Sequence, residues 1–282
     1  MSHPQARHWP YPTLIAHRGG GLHAPENTLA AVRTGREAGF HCVEFDVKLS
    51  RDNVALLMHD DTLERTTHGN GAVALHTMAA LEQVNANKGH EATFLGEPVP
   101  RFTAVAKLLH GLGLTANIEI KPCPGRDTET GRLVTELTRE IWRDRLVKPL
   151  LSSFSAQALL AARAVSADLP IGVLCEQPTE THWELANRLG AVALHCDHHY
   201  ASADLVIAAH QRGLRLLLWT VNDTERAAAL LRLGVDGLFT DSLSDMAKAF
   251  PAQLADTGKP MCDPIADMQL DWTGTLQVIP PV

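Results

Sequence analysis

The 282-residue sequence predicts an α/β protein, a (β/α)8 TIM barrel with a small inserted subdomain after the second strand. Three observations predict it. Short apolar β-type runs alternate with Ala/Leu/Arg-rich segments whose apolar residues recur at three- and four-residue spacing, the mark of a helix with one buried face. Most of the short runs are apolar on both faces, as parallel strands under helices are. Eight of them fall within about 240 residues, close to the roughly 250 typical of this barrel. An open doubly wound sheet, the other architecture that right-handed crossovers leave, fits less well. No strand opens into a Gly-rich nucleotide fingerprint, and polar residues gather at many strand C-termini.

Strands are expected at 13–17, 42–49, 116–121, 150–154, 171–175, 191–196, 214–221 and 235–240. Helices are expected at 28–38, 131–143, 156–165, 180–189, 203–211, 224–233 and 243–250. The first strand ends in His17-Arg18-Gly19-Gly20-Gly21, and Pro25-Glu26-Asn27-Thr28 reads as a helix start capped by Asn27 or Thr28. The second strand alternates apolar and acidic residues through Val43-Glu44-Phe45-Asp46-Val47. After it, about 53–100 does not read as one helix: 54–59 looks like an extra strand, followed by polar turns containing Gly and Thr. This stretch is taken as the inserted subdomain. The third strand carries Ile118-Glu119-Ile120-Lys121, the fourth ends in Ser152-Ser153, the sixth in His195 and Asp197, and the seventh in Trp219. The barrel domain is placed at 1–250. The segment 251–282 is read as a tail that wraps the barrel or is partly mobile, with no function assigned.

Composition sets outer limits. Hydrophobic residues make up 45% and charged residues 20%, ordinary for a globular protein. A chain near 300 residues buries roughly 75% of its unfolded surface, so disulfide staples are not needed. The formal charge of −7, from 25 Lys and Arg against 32 Asp and Glu, argues against a nucleic-acid or anionic-membrane binder, which needs a basic stripe. One Arg and one Lys still suffice for one small anion. Five cysteines, an odd number without a C-x-x-C pair, suit a reducing compartment. The segment MSHPQARHWPYP has no long apolar run of the secretory kind, and the densest apolar stretch, 214–221, is too short to span a bilayer. A cytoplasmic protein with no stable membrane association is expected, and a homo-oligomer is left open.

In such a barrel the reactive groups lie at the strand C-termini. Side chains alternate across a strand, so Glu44 and Asp46 share a face, and Val43, Phe45 and Val47 take the helix-facing one. Both carboxylates then point into the barrel, as do Glu119 and Lys121 by the same argument. Three inward carboxylates with oxygen donors only suit a hard divalent cation; a buried ion-pair network with Arg18 and Lys121 is the alternative. His17 and His59 both end apolar runs and face the same mouth. A histidine pair can serve as acid and base near neutral pH, although most of the 15 histidines must be incidental. His195 with His198 and His199 forms either a second metal or rim cluster or a solvated loop. The three glycines after His17-Arg18 let backbone N–H groups and Arg18 approach an anion. Glu26 is read as structural, holding Arg18. Trp219 is either core or a wall for the carbon part of a substrate.

The segments LIAHRGGGLHAPENTLAA, VEFDVKLSRDNVALLMHDDTLERTT, NIEIKP, LLSSF, LLLWTVN and GVDGLFTD, in this order from Leu14 to Asp241, resemble the glycerophosphodiester phosphodiesterase family, cytoplasmic bacterial type. The resemblance implies a (β/α)8 barrel with an insertion after the second strand. It further implies that His17 and His59 are the acid/base pair, that Glu44, Asp46 and Glu119 bind one divalent cation (Mg²⁺ foremost, Ca²⁺ or Mn²⁺ as alternatives), that Arg18 and Lys121 hold the phosphate, and that Trp219 lines the glycerol end. The implied reaction is hydrolysis of small-molecule glycerophosphodiesters, the deacylated remains of phospholipids, to sn-glycerol 3-phosphate and an alcohol. The chain departs from the family pattern at Asn53, where Gly is usual, and at Ser242-Leu243 after the TD motif. Asn tolerates the left-handed conformation such a turn needs.

Overall fold

The computed structural model describes residues 9–257 together with two short strands further on. Nine strands precede residue 241: β1 (Leu14–Ala16), β2 (Cys42–Leu49), β3 (Ala55–Leu57), β4 (Thr115–Ile120), β5 (Leu150–Ser153), β6 (Ile171–Leu174), β7 (Ala193–Asp197), β8 (Arg215–Trp219) and β9 (Gly237–Thr240). All but β3 run parallel, each beside its neighbour in the chain, and the sheet closes where β9 returns to β1, with Leu14 opposite Leu238 and Ala16 opposite Thr240. The eight strands expected from the sequence are thus the eight staves of the barrel. β3 instead runs antiparallel against the outer end of β2, with Val47 opposite Leu57 and Leu49 opposite Ala55.

The helices are α1 (Leu29–Glu37), α2 (Met78–Leu81), α3 (Phe102–Leu112), α4 (Asp127–Ile141), α5 (Ala156–Val165), α6 (Glu180–Leu189), α7 (Ala203–Gln211), α8 (Thr224–Arg232) and α9 (Leu243–Ala249). α3 was not expected, although Phe102, Val105, Ala106 and Leu109, all buried, follow helical spacing; its sequence sits at the end of the irregular 53–100 stretch. α4 starts four residues before the expected 131, because Asp127 and Glu129 fill a polar first turn where acidic side chains suit the helix dipole. Among the described residues no helix is long and apolar enough to cross a membrane.

Two layers of core follow from the strand alternation. Outward residues such as Val43, Phe45 and Val47 join Phe102, Val105 and Leu109 in the main core between sheet and helices, with the Phe45 and Phe102 rings 6.2 Å apart. Truncating a buried aromatic of this kind costs about 3–5 kcal/mol. Inside the barrel, Trp9, Tyr11, Ile15, Cys42, Leu150, Ala193, Leu217 and Phe239 form a separate apolar cluster. Residues between β2 and α3 have a core of their own around Leu56, Met58, Leu63, Val73, Met78 and Leu81. Asn53 adopts the left-handed conformation, φ 61°. Of the tail, Pro251–Leu254 forms one short 3-10 turn, and β10 (Met268–Leu270) pairs antiparallel with β11 (Leu276–Val278). The expected course of the rest of 251–282 lies outside the described residues.

Candidate active site

The alternation of β2 buries all eight of its residues and turns Glu44 and Asp46 inward. Glu44, Asp46 and Glu119 are 4%, 1% and 8% exposed, and a ligating oxygen from each lies within 4.8 Å of the others. Asp46 stands directly opposite Glu119 across the β2/β4 register, where like charges oppose each other. Burial, then the neighbouring Asp46 carboxylate, pushes Glu44 up to about 8 and Glu119 up to about 7. Asp46 goes the other way: burial works against its charge, but Lys121, His59, Arg18 and the Asn27 amide together hold it well below the usual range.

The ion-pair network expected as the alternative for these acids is present. Lys121 Nζ lies 2.9 Å from Glu119 and 3.2 Å from Asp46. The Arg18 backbone N–H donates to Glu44 at 3.0 Å, and its Nε is 3.9 Å from Asp46. Arg18 is itself left-handed, φ 50°, an uncommon conformation for a residue with a side chain. The donor set is oxygen only, and two of its three acids sit at or above neutral pH with Arg18 and Lys121 in place. A hard divalent cation fits those donors.

His17 and His59 share a construction. His17 Nδ1 is 2.7 Å from Asp241 Oδ1, and His59 Nδ1 is 2.6 Å from Asp60 Oδ1. A carboxylate on Nδ1 fixes ring and tautomer and leaves Nε2 for chemistry. Burial disfavours the His17 cation, yet Asp241 and Glu44 outweigh it and raise the group. His59 is lowered, first by burial and then by Arg18 and Lys121, which together exceed the opposing pull of Asp46 and Asp60. Gly21 secures the Asp241 end. Its φ is 53°, and a Cβ there would come within 2.2 Å of the Asp241 carbonyl oxygen.

His17, Arg18, Glu44, His59, Glu119, Lys121 and Trp219 line one cavity of about 290 Å³. Asp46, the eighth residue expected from sequence, sits behind them among the carboxylates. Trp219 meets Phe154 edge to face at 5.7 Å, and Phe154 lies 5.9 Å from Lys121 Nζ. Thr28 caps α1 by accepting from the Ala31 N–H. Asn27 is left-handed and instead clasps Asp46, accepting from its backbone N–H at 3.0 Å and donating to its carboxylate at 2.8 Å. Glu26 accepts from Arg18 Nη1 at 2.8 Å. The structure separates the histidines grouped with His195. His195 is buried inside the barrel, 5.3 Å from Phe239, its pKa lowered to about 3 by burial; only Asp197, His198 and His199 cluster at the rim.

Sequence reasoning missed Asp241, Asp60, Asn27 and Arg65. Asp241 follows the last barrel strand, so the strand-end rule that found His17 reaches it too. Arg65 donates to both oxygens of Asp60 and both of Glu26; five residues from Asp60 and 39 from Glu26, it gives no local signal.

Comparison with known proteins identifies similar chains. The family model described as the glycerophosphoryl diester phosphodiesterase family matches residues 17–244. A glycerophosphodiester phosphodiesterase from Caldanaerobacter subterraneus is 32% identical over 232 residues, spanning 81% of this chain and 93% of its own. A phosphodiesterase of Oleispira antarctica, solved in complex with the product sn-glycerol-3-phosphate, superposes with a TM-score of 0.79 at 30% identity, covering 86% of this chain and 97% of that one. The crystal structure of a glycerophosphodiester phosphodiesterase from Agrobacterium tumefaciens has a TM-score of 0.73 at 24% identity and shares the fold.

Proposed function

The chain belongs to the glycerophosphoryl diester phosphodiesterase family and is a phosphodiester hydrolase; from that premise we propose that it cleaves glycerophosphodiesters to sn-glycerol 3-phosphate and an alcohol. His17 and His59 act as the acid/base pair, and Glu44, Asp46 and Glu119 hold one divalent cation, Mg²⁺ by preference. One observation carries the reading: two histidines, each anchored through Nδ1 by an aspartate, share a cavity with a buried cluster of three carboxylates. Mere binding of a phosphodiester needs no such pair. The product seen in the Oleispira enzyme supports the glycerol 3-phosphate side of the reaction.

When bound, such a cation polarises phosphoryl oxygens as a Lewis acid. The protein's own groups do the rest. Arg18 and Lys121 donate to the phosphoryl oxygens as their charge grows. One histidine takes a proton from the nucleophile at Nε2, and the other gives one to the departing alkoxide. Each positioned transfer contributes typically about 10²–10⁴ in rate. Asp241 and Asp60 hold the rings, and Trp219 with Phe154 walls the carbon part of the substrate. The buried cysteines Cys42, Cys123, Cys175 and Cys196 are free thiols, which supports a cytoplasmic setting.

The test is to incubate the metal-stripped protein with glycerophosphocholine and glycerophosphoethanolamine, with and without Mg²⁺, Ca²⁺ or Mn²⁺, and to assay glycerol 3-phosphate. Metal-dependent release from both substrates is the expected result. A folded protein silent under every metal would overturn the substrate assignment.

A further inference from the structure

Arg65 lies outside the cavity lining, and its guanidinium reaches two loops at once. Its Nε and Nη2 donate to Asp60 at 2.6 and 2.8 Å, and its Nη1 and Nη2 donate to Glu26 at 2.8 Å each. Each of those carboxylates holds one residue of the site. Asp60 anchors Nδ1 of His59 at 2.6 Å, and Glu26 accepts from Nη1 of Arg18 at 2.8 Å. Glu26 belongs to the loop between β1 and α1, whereas Asp60 and Arg65 follow β3 in the stretch that departs from the barrel.

We infer that Arg65 is a positioning residue, which through Asp60 and Glu26 fixes His59 and Arg18 relative to each other and so couples the segment after β3 to phosphodiester cleavage. The inference rests on the roles proposed above for His59 and Arg18. A planar fork with five donors can satisfy two carboxylates in a set orientation, which an ammonium cannot. Without it, Glu26 has only Arg18 to draw on, and Asp60 can turn with its histidine away from the cavity. A stabilising role is the competing explanation, and the melting temperature of R65M reads it separately: the Arg65 side chain is 47% exposed while Glu26 and Asp60 are 18% and 25% exposed, and a bidentate network is where a surface ion pair can count toward folding. The Arg101–Glu82 pair supplies a control with one carboxylate in place of two. It is also bidentate, at 2.6 and 2.7 Å, is 38% and 35% exposed, and does not line the cavity.

The test compares R65M, R65K and R101M in the full-length, metal-loaded enzyme. Expected for R65M are a kcat about 30-fold lower and a KM several-fold higher, with melting temperature and Mg²⁺ affinity near wild type; R65K recovers less than a third of the lost kcat. In a D60N/E26Q background the R65M effect on kcat shrinks to under about threefold, because both links are already cut. R101M leaves kcat within about twofold. An R65M enzyme with wild-type kcat, effects that simply multiply in the D60N/E26Q background, or an equal loss in R101M would each overturn the inference. A wild type without turnover would instead refute the proposed function. Imidazole NMR then reads the inference alone: R65M must move the His59 Nδ1 resonance and leave that of His17 in place, and an unmoved His59 resonance would sink it.

Discussion

Loading the carboxylate cluster with Mg²⁺ should release protons, and the number can be worked out. Burial and Asp46 raise Glu44 to about 8 and Glu119 to about 7. Near pH 7 the two together then carry more than one proton, whereas Asp46 is ionised. A cation requires all three ionised, so binding should expel about one to two protons near pH 7 and few at pH 9. The sign follows: affinity rises with pH through the range of the two raised acids and levels off above pH 8. Between pH 6 and 8 the linkage amounts to roughly a 10²–10³-fold gain. Titration calorimetry in buffers of different ionisation enthalpy reads the proton number from the slope of apparent enthalpy. In E44Q the slope should drop to roughly half a proton or less, with weaker binding. Tight binding at pH 7 without buffer dependence would refute the assignment of these acids as the ligands.

Further outcomes are open to measurement. H17A and H59A should each lower kcat at least about a hundredfold while circular dichroism and melting temperature stay near wild type; near-normal turnover removes that histidine from the mechanism. Asp241 raises His17, so D241N should lower kcat and move the limb of the pH–rate profile that follows His17 toward lower pH; an unmoved profile would count against the pairing. Away from the site, Asp236 is 8% exposed and is bound by Arg215 Nη1, the Leu216 N–H and His210 at 2.7–2.8 Å. Removing that carboxylate takes the shared acceptor from three buried partners, so D236A should cost about 3–5 kcal/mol and lower Tm by roughly 6–20 °C, measured by calorimetry against D236N.

Most of the barrel was legible because its strands are apolar on both faces and each is separated from the next by one amphipathic segment. The inward acids were legible for a related reason: a two-residue period leaves Glu44 and Asp46 one face to occupy, and β2 obeys it over all eight residues. What stayed hidden depends on contacts that no local period encodes. α3 has a regular apolar face, but it follows a stretch whose turns break every period. Asn27 and Thr28 are both candidates for the cap by sequence, since Asn and Thr are both favoured there. Only the fold shows that Thr28 takes the cap while Asn27 clasps an acid 19 residues away. His195 looked like a rim residue by sequence adjacency to His198, yet the strand turns it into the barrel interior.

The pairing of His17 with Asp241 has a temporal meaning. The two residues are 224 positions apart and flank the first and last staves, where the His17 backbone N–H also donates to the Thr240 carbonyl. A chain made from its N-terminus therefore contains His17, Arg18, Glu44, His59, Glu119 and Lys121 well before the aspartate that orients His17 has been synthesised. Closing the seam is a high-contact-order event, slow compared with forming the neighbouring strand pairs. Turnover should return in refolding later than helical signal, which makes the enzyme its own reporter of barrel closure.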